Sequence, residues 1–168
     1  MQYVNIPKER IAVLIGSNGK AKKELEKVTR TKIVLDGSSV QIDGDPVDEW
    51  VAKDVVKAIG RGFSPEKALL LISDEMVLEI IDITDIVGDS PKSMLRVKGR
   101  IIGERGKSRR VIEEVSNTYV SVYGKTVSII GAYDEVAAAR DAVLKLISGS
   151  RHSSVYKFLE MSKKGKIQ

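Results

Sequence analysis

Apolar positions along this chain switch repeatedly between two periods, and the switches mark out its elements. Met1–Ile6 alternates and predicts a strand closed by Pro7; Lys8–Ile15 then sets Ile11, Leu14 and Ile15 at three-and-four spacing, a short helix. Lys20–Thr29 predicts a second helix with Leu25 and Val28 turned inward. Thr31–Leu35 and Val40–Ile42 are β-rich runs around Gly37-Ser38-Ser39, a hairpin signal. Asp45 is the expected N-cap and Pro46 the first residue of a third helix. Its apolar face comprises Val47, Trp50, Val51, Val55, Ala58 and Ile59, which makes Trp50 a core residue. Gly60-Arg61-Gly62 stops that helix, and Ser64 caps a short connecting helix, Pro65–Ile72.

The same succession then recurs. Met76–Val87 alternates and predicts a strand; Gly88-Asp89-Ser90-Pro91 turns into a helix Lys92–Ile102, and Lys107–Asn117 predicts another. A hairpin over Thr118–Ile130 turns near Gly124, and a helix follows at Asp134–Ser148. A last helix, His152–Ser162, leads into Lys163-Lys164-Gly165-Lys166, expected to be a frayed basic tail. Laid over each other, Ile15–Gly62 and Ile102–Gly149 match without a gap. Identical pairs include Gly16/Gly103, Gly19/Gly106, Lys20/Lys107, Glu26/Glu113, Val28/Val115 and Gly37/Gly124. Identities in register at loop, helix and hairpin are the mark of a duplication. The chain therefore divides into two small domains, 1–74 and 75–168.

Composition narrows the chemistry. The 168 residues are 42% hydrophobic and 30% charged, the profile of a soluble globular protein. No apolar run approaches the roughly 18 residues that span a bilayer, and the N-terminus lacks a signal-peptide pattern, so a cytoplasmic location and no membrane partner are expected. The chain has no cysteine, which excludes disulfides, Cys-ligated zinc and thiol nucleophiles. Its one histidine, His152, makes no metal site alone and is expected to pack or cap. A net charge of +5 is compatible with a polyanionic partner.

The candidate chemistry lies in the matched loops, Gly16-Ser17-Asn18-Gly19-Lys20 and Gly103-Glu104-Arg105-Gly106-Lys107. Glycine permits turn conformations and close backbone approach, and a helix beginning just afterwards offers N–H groups and a positive dipole end to a phosphate. The same glycines also serve simply to join two helices sharply. Gly103-x-x-Gly106-Lys107-Ser108 is not a Walker A loop, because Ile101 stands where the first glycine is needed. Asp82, Asp85 and Asp89 have no nuclease-like spacing, so no catalysis and no cofactor are expected.

Each half orders as strand, helix, GXXG loop, helix, strand, strand, helix, with Leu14-Ile15-Gly16-x-x-Gly19 and Ile101-Ile102-Gly103-x-x-Gly106 at its centre. This resembles the type I KH (K-homology) domain. The resemblance implies an α+β fold: two KH domains in tandem, each a three-stranded antiparallel sheet with three helices on one face, plus a connecting and a C-terminal helix. Gly62–Leu69, Ile81-Asp82-Ile83-Thr84-Asp85, Thr29–Leu35 and His152–Leu159 are further similar to the Partner-of-NOB (Pno/Dim) KH proteins. With an intact first loop and no long N-terminal extension, the chain looks like the compact archaeal form.

That resemblance implies a non-catalytic clamp on single-stranded RNA, at the 3′ region of small-subunit ribosomal RNA, with a ribosome-maturation nuclease or a translation initiation factor as neighbour. The implied RNA-binding residues in the first half are Ala12 and Ile15 on a groove floor, the loop Gly16, Ser17, Asn18 and Gly19, and the basic flank Lys20, Lys22 and Lys23, with Lys8 and Arg10 nearby. In the second half they are Gly99 and Ile102, the loop Gly103, Glu104, Arg105 and Gly106, and the flank Arg100, Lys107, Arg109 and Arg110, with Lys98 nearby. KH grooves carry an aliphatic residue three places after the last loop glycine; Lys22 and Arg109 stand there instead. Lys32–Leu35 and Tyr119–Val122 would supply the strand edge that meets the bases. An aromatic content of 5% argues against a stacking sheet. Two other readings remain: a scaffold that docks a translation or assembly protein, with RNA secondary, and a binder of single-stranded DNA.

Overall fold

Alternation sends Val4, Val40, Ile42 and Ile33 to one side of the first sheet, and all four are buried. The computed structural model describes residues 1–167. They divide into two compact units, one ending at Met76 and the other beginning at Val77.

The first unit runs β1 (Gln2–Asn5), α1 (Lys8–Ile15), α2 (Lys20–Thr29), β2 (Lys32–Asp36), β3 (Ser39–Asp43) and α3 (Pro46–Gly60). The sheet order is β1-β3-β2, antiparallel, with Val4 opposite Val40 and Ile33 opposite Ile42. Asp36 and Ser39 pair across a two-residue turn whose first residue, Gly37, has φ of +60°, as a hairpin turn requires. Leu14, Leu25, Val55 and Ile59 bring the helices onto the sheet, each such side chain contributing about 1.5–3 kcal/mol on full burial. Gly60 admits the end of β1: a Cβ there would lie 2.5 Å from Ile6 Cγ2. A helical turn, α4 (Pro65–Ala68), follows; the Ser64 hydroxyl caps it by accepting from the Lys67 amide, and a 3-10 turn continues to Ile72.

The second unit repeats the order as β4 (Met76–Asp82), α5 (Thr84–Val87), α6 (Pro91–Ile102), α7 (Lys107–Ser116), β5 (Tyr119–Tyr123), β6 (Thr126–Ala132) and α8 (Tyr133–Ile147). Its sheet order is β4-β6-β5. A final helix, α9 (His152–Ile167), packs across α7 and α8 through the buried Val155 and Leu159. Both units therefore have the α+β, three-stranded architecture expected of tandem type I KH domains.

Several local expectations are corrected. The strand predicted over Met76–Val87 stops at Asp82, because the Asp82 carboxylate accepts from the amide and hydroxyl of Thr84 at 2.9 and 2.6 Å and starts α5. Val28, Val47 and Trp50, assigned to apolar faces, are exposed; Lys53 Nζ lies 5.2 Å from the Trp50 ring centroid. Asp45 occupies the N-cap position of α3 without a side-chain cap bond. Glu49 of the first turn instead accepts from the Gly44 amide (3.1 Å) and the Met1 ammonium (2.6 Å). The segment expected to fray after Ser162 continues as helix to Ile167.

Candidate nucleic-acid interface

The two GXXG turns have the same backbone. Gly16 has φ/ψ of 74°/−179° and Gly103 77°/173°; Gly19 has 75°/11° and Gly106 75°/14°. Between them Asn18 and Arg105 are left-handed at 55°/28° and 55°/29°. The inner hydrogen bonds match as well: Gly16 N to Ala12 O (2.9 Å) and Gly19 N to Gly16 O (3.3 Å), against Gly103 N to Gly99 O (2.8 Å) and Gly106 N to Gly103 O (3.2 Å). None of these bonds uses the amides of the two residues between the glycines, and those residues are exposed in both turns. No side chain caps the start of α2 or α7; the Lys20 and Lys107 amides donate to Ser17 O and Glu104 O, and the positive dipole end of each helix lies at the turn.

The paired glycines do different jobs. A Cβ on Gly16 would lie 2.6 Å from Ala21 Cβ and 2.9 Å from Ala21 N; one on Gly103 would lie 2.7 Å from both Ser108 Cβ and Ser108 N. The first glycine therefore lets the two helices close on each other. Around Gly19 and Gly106 nothing lies within 4 Å of such a Cβ. Their positive φ suits glycine, but the space they leave is open surface that a ligand can enter.

The basic flank divides into free and committed cations. Lys20, Lys23, Lys107 and Arg105 are exposed, and Arg109 is half-buried. Lys22 pairs with Glu26 at 3.2 Å. Arg110 Nη2 donates to Arg105 O at 3.3 Å and braces its own loop. Arg100, expected to meet RNA, also serves as a structural clamp: Nε donates to Leu146 O at 3.0 Å and Nη2 to Ser150 O, at the end of α8. Arg10 does the same in the first unit, donating to Ile59 O and Phe63 O at 2.7 Å each. The acceptors occupy equivalent places in the repeat; the arginines sit one helical turn apart. His152 Nε2 lies 2.9 Å from Arg100 O, the packing role expected of it.

On the groove side, Ile15 and Ile102 are half-buried and Ala12 is exposed. Gly99 and Ile102 stand three residues apart on α6, about one turn along the helix, and Gly99 is exposed. β2 and β5 are edge strands, and each is partly closed by a carboxylate that sequence reasoning missed. Glu26 Oε2 accepts from Ile33 N, and Glu113 Oε2 from Val120 N, both at 2.9 Å. The identity of Glu26 and Glu113 across the repeat was the available signal. By strand alternation the next outward backbone groups belong to Leu35 and Val122.

A family model described as eukaryotic type KH-domain (KH-domain type I), built on the second KH domain of PNO1 proteins, matches residues 7–74 and again 77–164. A KH domain-containing protein of Methanocaldococcus jannaschii is 49% identical over 166 residues, covering 95% of this chain and 73% of the relative. The pre-rRNA-processing protein PNO1 of Phaeosphaeria nodorum is 34% identical over 105 residues, 62% of this chain; that match spans only 40% of its length. Among solved structures, Dim2p in an a/eIF2alpha–aDim2p–rRNA complex from Pyrococcus horikoshii OT3 superposes with a TM-score of 0.91 at 51% identity, covering 98% of this chain and 94% of that one.

Proposed function

The chain belongs to the Partner-of-NOB (Pno/Dim) branch of the type I KH-domain family, and we propose that it holds single-stranded ribosomal RNA during small-subunit maturation. The observation that carries this is the pair of superimposable turns, each with a second glycine open to solvent and free cations beside it. A strand crossing such a turn sets phosphates against main-chain amides, while its bases lie toward the strand edge; a KH clamp takes about four nucleotides. Ribosomal RNA as the target class is supported by the pre-rRNA-processing relatives and the rRNA-complex neighbour; the 3′ region of small-subunit RNA is the finer target the family resemblance implies. Residues 1–74 and 75–168 act as separate binding modules, and the second is the stronger clamp, since Arg105 lies within its loop. The role is non-catalytic: the interface offers amides and cations but no acid–base pair. No helix among the described residues is long and apolar enough to cross a membrane, and the proposed location is the cytoplasm.

A second reading, docking of a translation initiation factor, is favoured by one observation, the occurrence of a/eIF2alpha with the 51%-identical neighbour. A maturation nuclease is the other proposed neighbour. Fluorescence anisotropy with a labelled single-stranded oligonucleotide separates RNA holding from docking. Glu104→Asp with Arg105→Asp should abolish most binding without loss of fold, because aspartate tolerates the left-handed place of Arg105. Unchanged affinity would refute the clamp. Paired RNA and DNA strands of one sequence test the sugar preference.

A further inference from the structure

Against the second turn and α6 lies a cleft of about 380 Å³. Arg96, Gly99 and Arg100 of α6, Glu104 of the turn, Lys107 and Ser108 at the start of α7, and Tyr156 of α9 are in its lining. We infer that this cleft is a second phosphate subsite for the RNA backbone, one that only the second unit possesses.

Three observations converge there. Ser108 is fully buried, and its Oγ has no hydrogen-bond partner; buried hydroxyls are ordinarily satisfied, so an orphan in the wall of a cleft marks a donor in need of an acceptor. Arg96 and Lys107 are exposed, and neither is held in an ion pair among the described residues. Gly99 has open space where a Cβ would stand, so a ligand can reach the helix backbone. The first unit shares the lysine, as Lys20, and lacks the rest. Glu9 takes the place of Arg96 and Ala21 that of Ser108, while Pro65 and Leu69 stand where α9 presents His152 and Tyr156.

Two cations and two hydroxyls suit an anion, and Glu104 sets which kind. A carboxylate in the lining repels a doubly charged terminal phosphate more than a singly charged phosphodiester. The ligand is therefore an internal phosphate of the strand, one step beyond those at the Gly103–Gly106 turn. This inference rests on the reading that the turn itself holds RNA.

Titrations of the full chain with single strands of about four nucleotides and of twice that length test it. Arg96→Ala should weaken the longer strand about fivefold and lower its salt slope by about 0.7, the value for one phosphate of a single strand, with the shorter strand unaffected. Ser108→Ala, which copies the first unit, should weaken only the longer strand and leave the thermal midpoint unchanged or raised. If Arg96→Ala leaves the longer strand's affinity and salt slope untouched while Glu104→Asp with Arg105→Asp abolishes binding, the cleft is refuted and the clamp stands. If the loop variant binds like the parent, the clamp itself fails. Tighter binding of a terminally phosphorylated short strand, lost in Arg96→Ala, would overturn the assignment to a diester.

Discussion

Replacing each glycine of the second turn by alanine, one at a time, separates folding from binding. At Gly106, φ/ψ of 75°/14° is left-handed and the new methyl meets nothing. The cost is the left-handed penalty of about 1–2 kcal/mol, offset by about 0.4–1 kcal/mol from a less flexible unfolded chain, leaving about 1 kcal/mol. At Gly103, φ/ψ of 77°/173° lies in a region nearly reserved for glycine, worth about 1–3 kcal/mol. The methyl would also meet Ser108 N and Cβ at 2.7 Å, an overpacking worth about 1–3 kcal/mol more. Gly103→Ala should thus lose about 3 kcal/mol, a large share of the 5–15 kcal/mol typical of a domain. RNA affinity should show the reverse order among folded molecules. Gly106→Ala holds a phosphate off the amides and should weaken binding on the order of tenfold, the loss of one charge-assisted hydrogen bond. Urea denaturation followed by circular dichroism gives the first ranking, and anisotropy titration at low denaturant the second. Equal destabilisation by the two substitutions, or wild-type RNA affinity in Gly106→Ala, would refute the division of labour between the glycines.

Arg100→Ala should cost about 2 kcal/mol, read as a lowered midpoint in chemical denaturation, since it removes charge-assisted bonds to Leu146 O and Ser150 O. Gly60→Ala should lose about 1–3 kcal/mol by driving a methyl into Ile6, read as a lowered urea midpoint of the first unit through Trp50 fluorescence. The Met1 ammonium, first, and the Gly44 amide hold the Glu49 carboxyl below the usual carboxylate range. A folded-state value below the unfolded one means that its contribution is present above the unfolded value and lost as pH falls through the folded one. Glu49→Gln should therefore flatten the acid limb of a stability–pH profile and leave the shape near neutrality alone.

How much was legible depended on whether a residue's role was local. The facing boundaries of α1 and α2 follow from the Gly16–Gly19 turn between them, and the structure reproduces both helices; α2 itself ends at a left-handed Arg30 rather than a glycine. The turn geometry was legible too, because φ near +75° at Gly16, Gly19, Gly103 and Gly106 is a property of the residue type. Arg100 was not: a cation beside a glycine turn looks the same in sequence whether it faces solvent or reaches back to Leu146 O. Trp50 and Val47 were misassigned because an apolar residue at helical spacing does not have to be buried. Their places in the repeat are taken by Ala137 and Asp134, both exposed, so the second copy already marked that side of the helix as surface.

Val28 and Val115 show what the duplication itself conceals. They are identical, occupy the same place on α2 and α7, and have different surroundings: Val28 is exposed, whereas Val115 packs against the core of its unit. The difference is α9, which packs across α7 and puts Leu159 in the wall of the same cleft as Val115. The first unit has only α4 and a 3-10 turn at that point in the chain. The same helix that buries Val115 carries Tyr156 to the cleft beside Ser108 and sets His152 against Arg100. One added helix thus alters the core contact, the brace of α6 and the surface next to the clamp together. The two copies share a turn down to a few degrees, so a functional difference between them has to come from what surrounds it, and α9 supplies most of that difference.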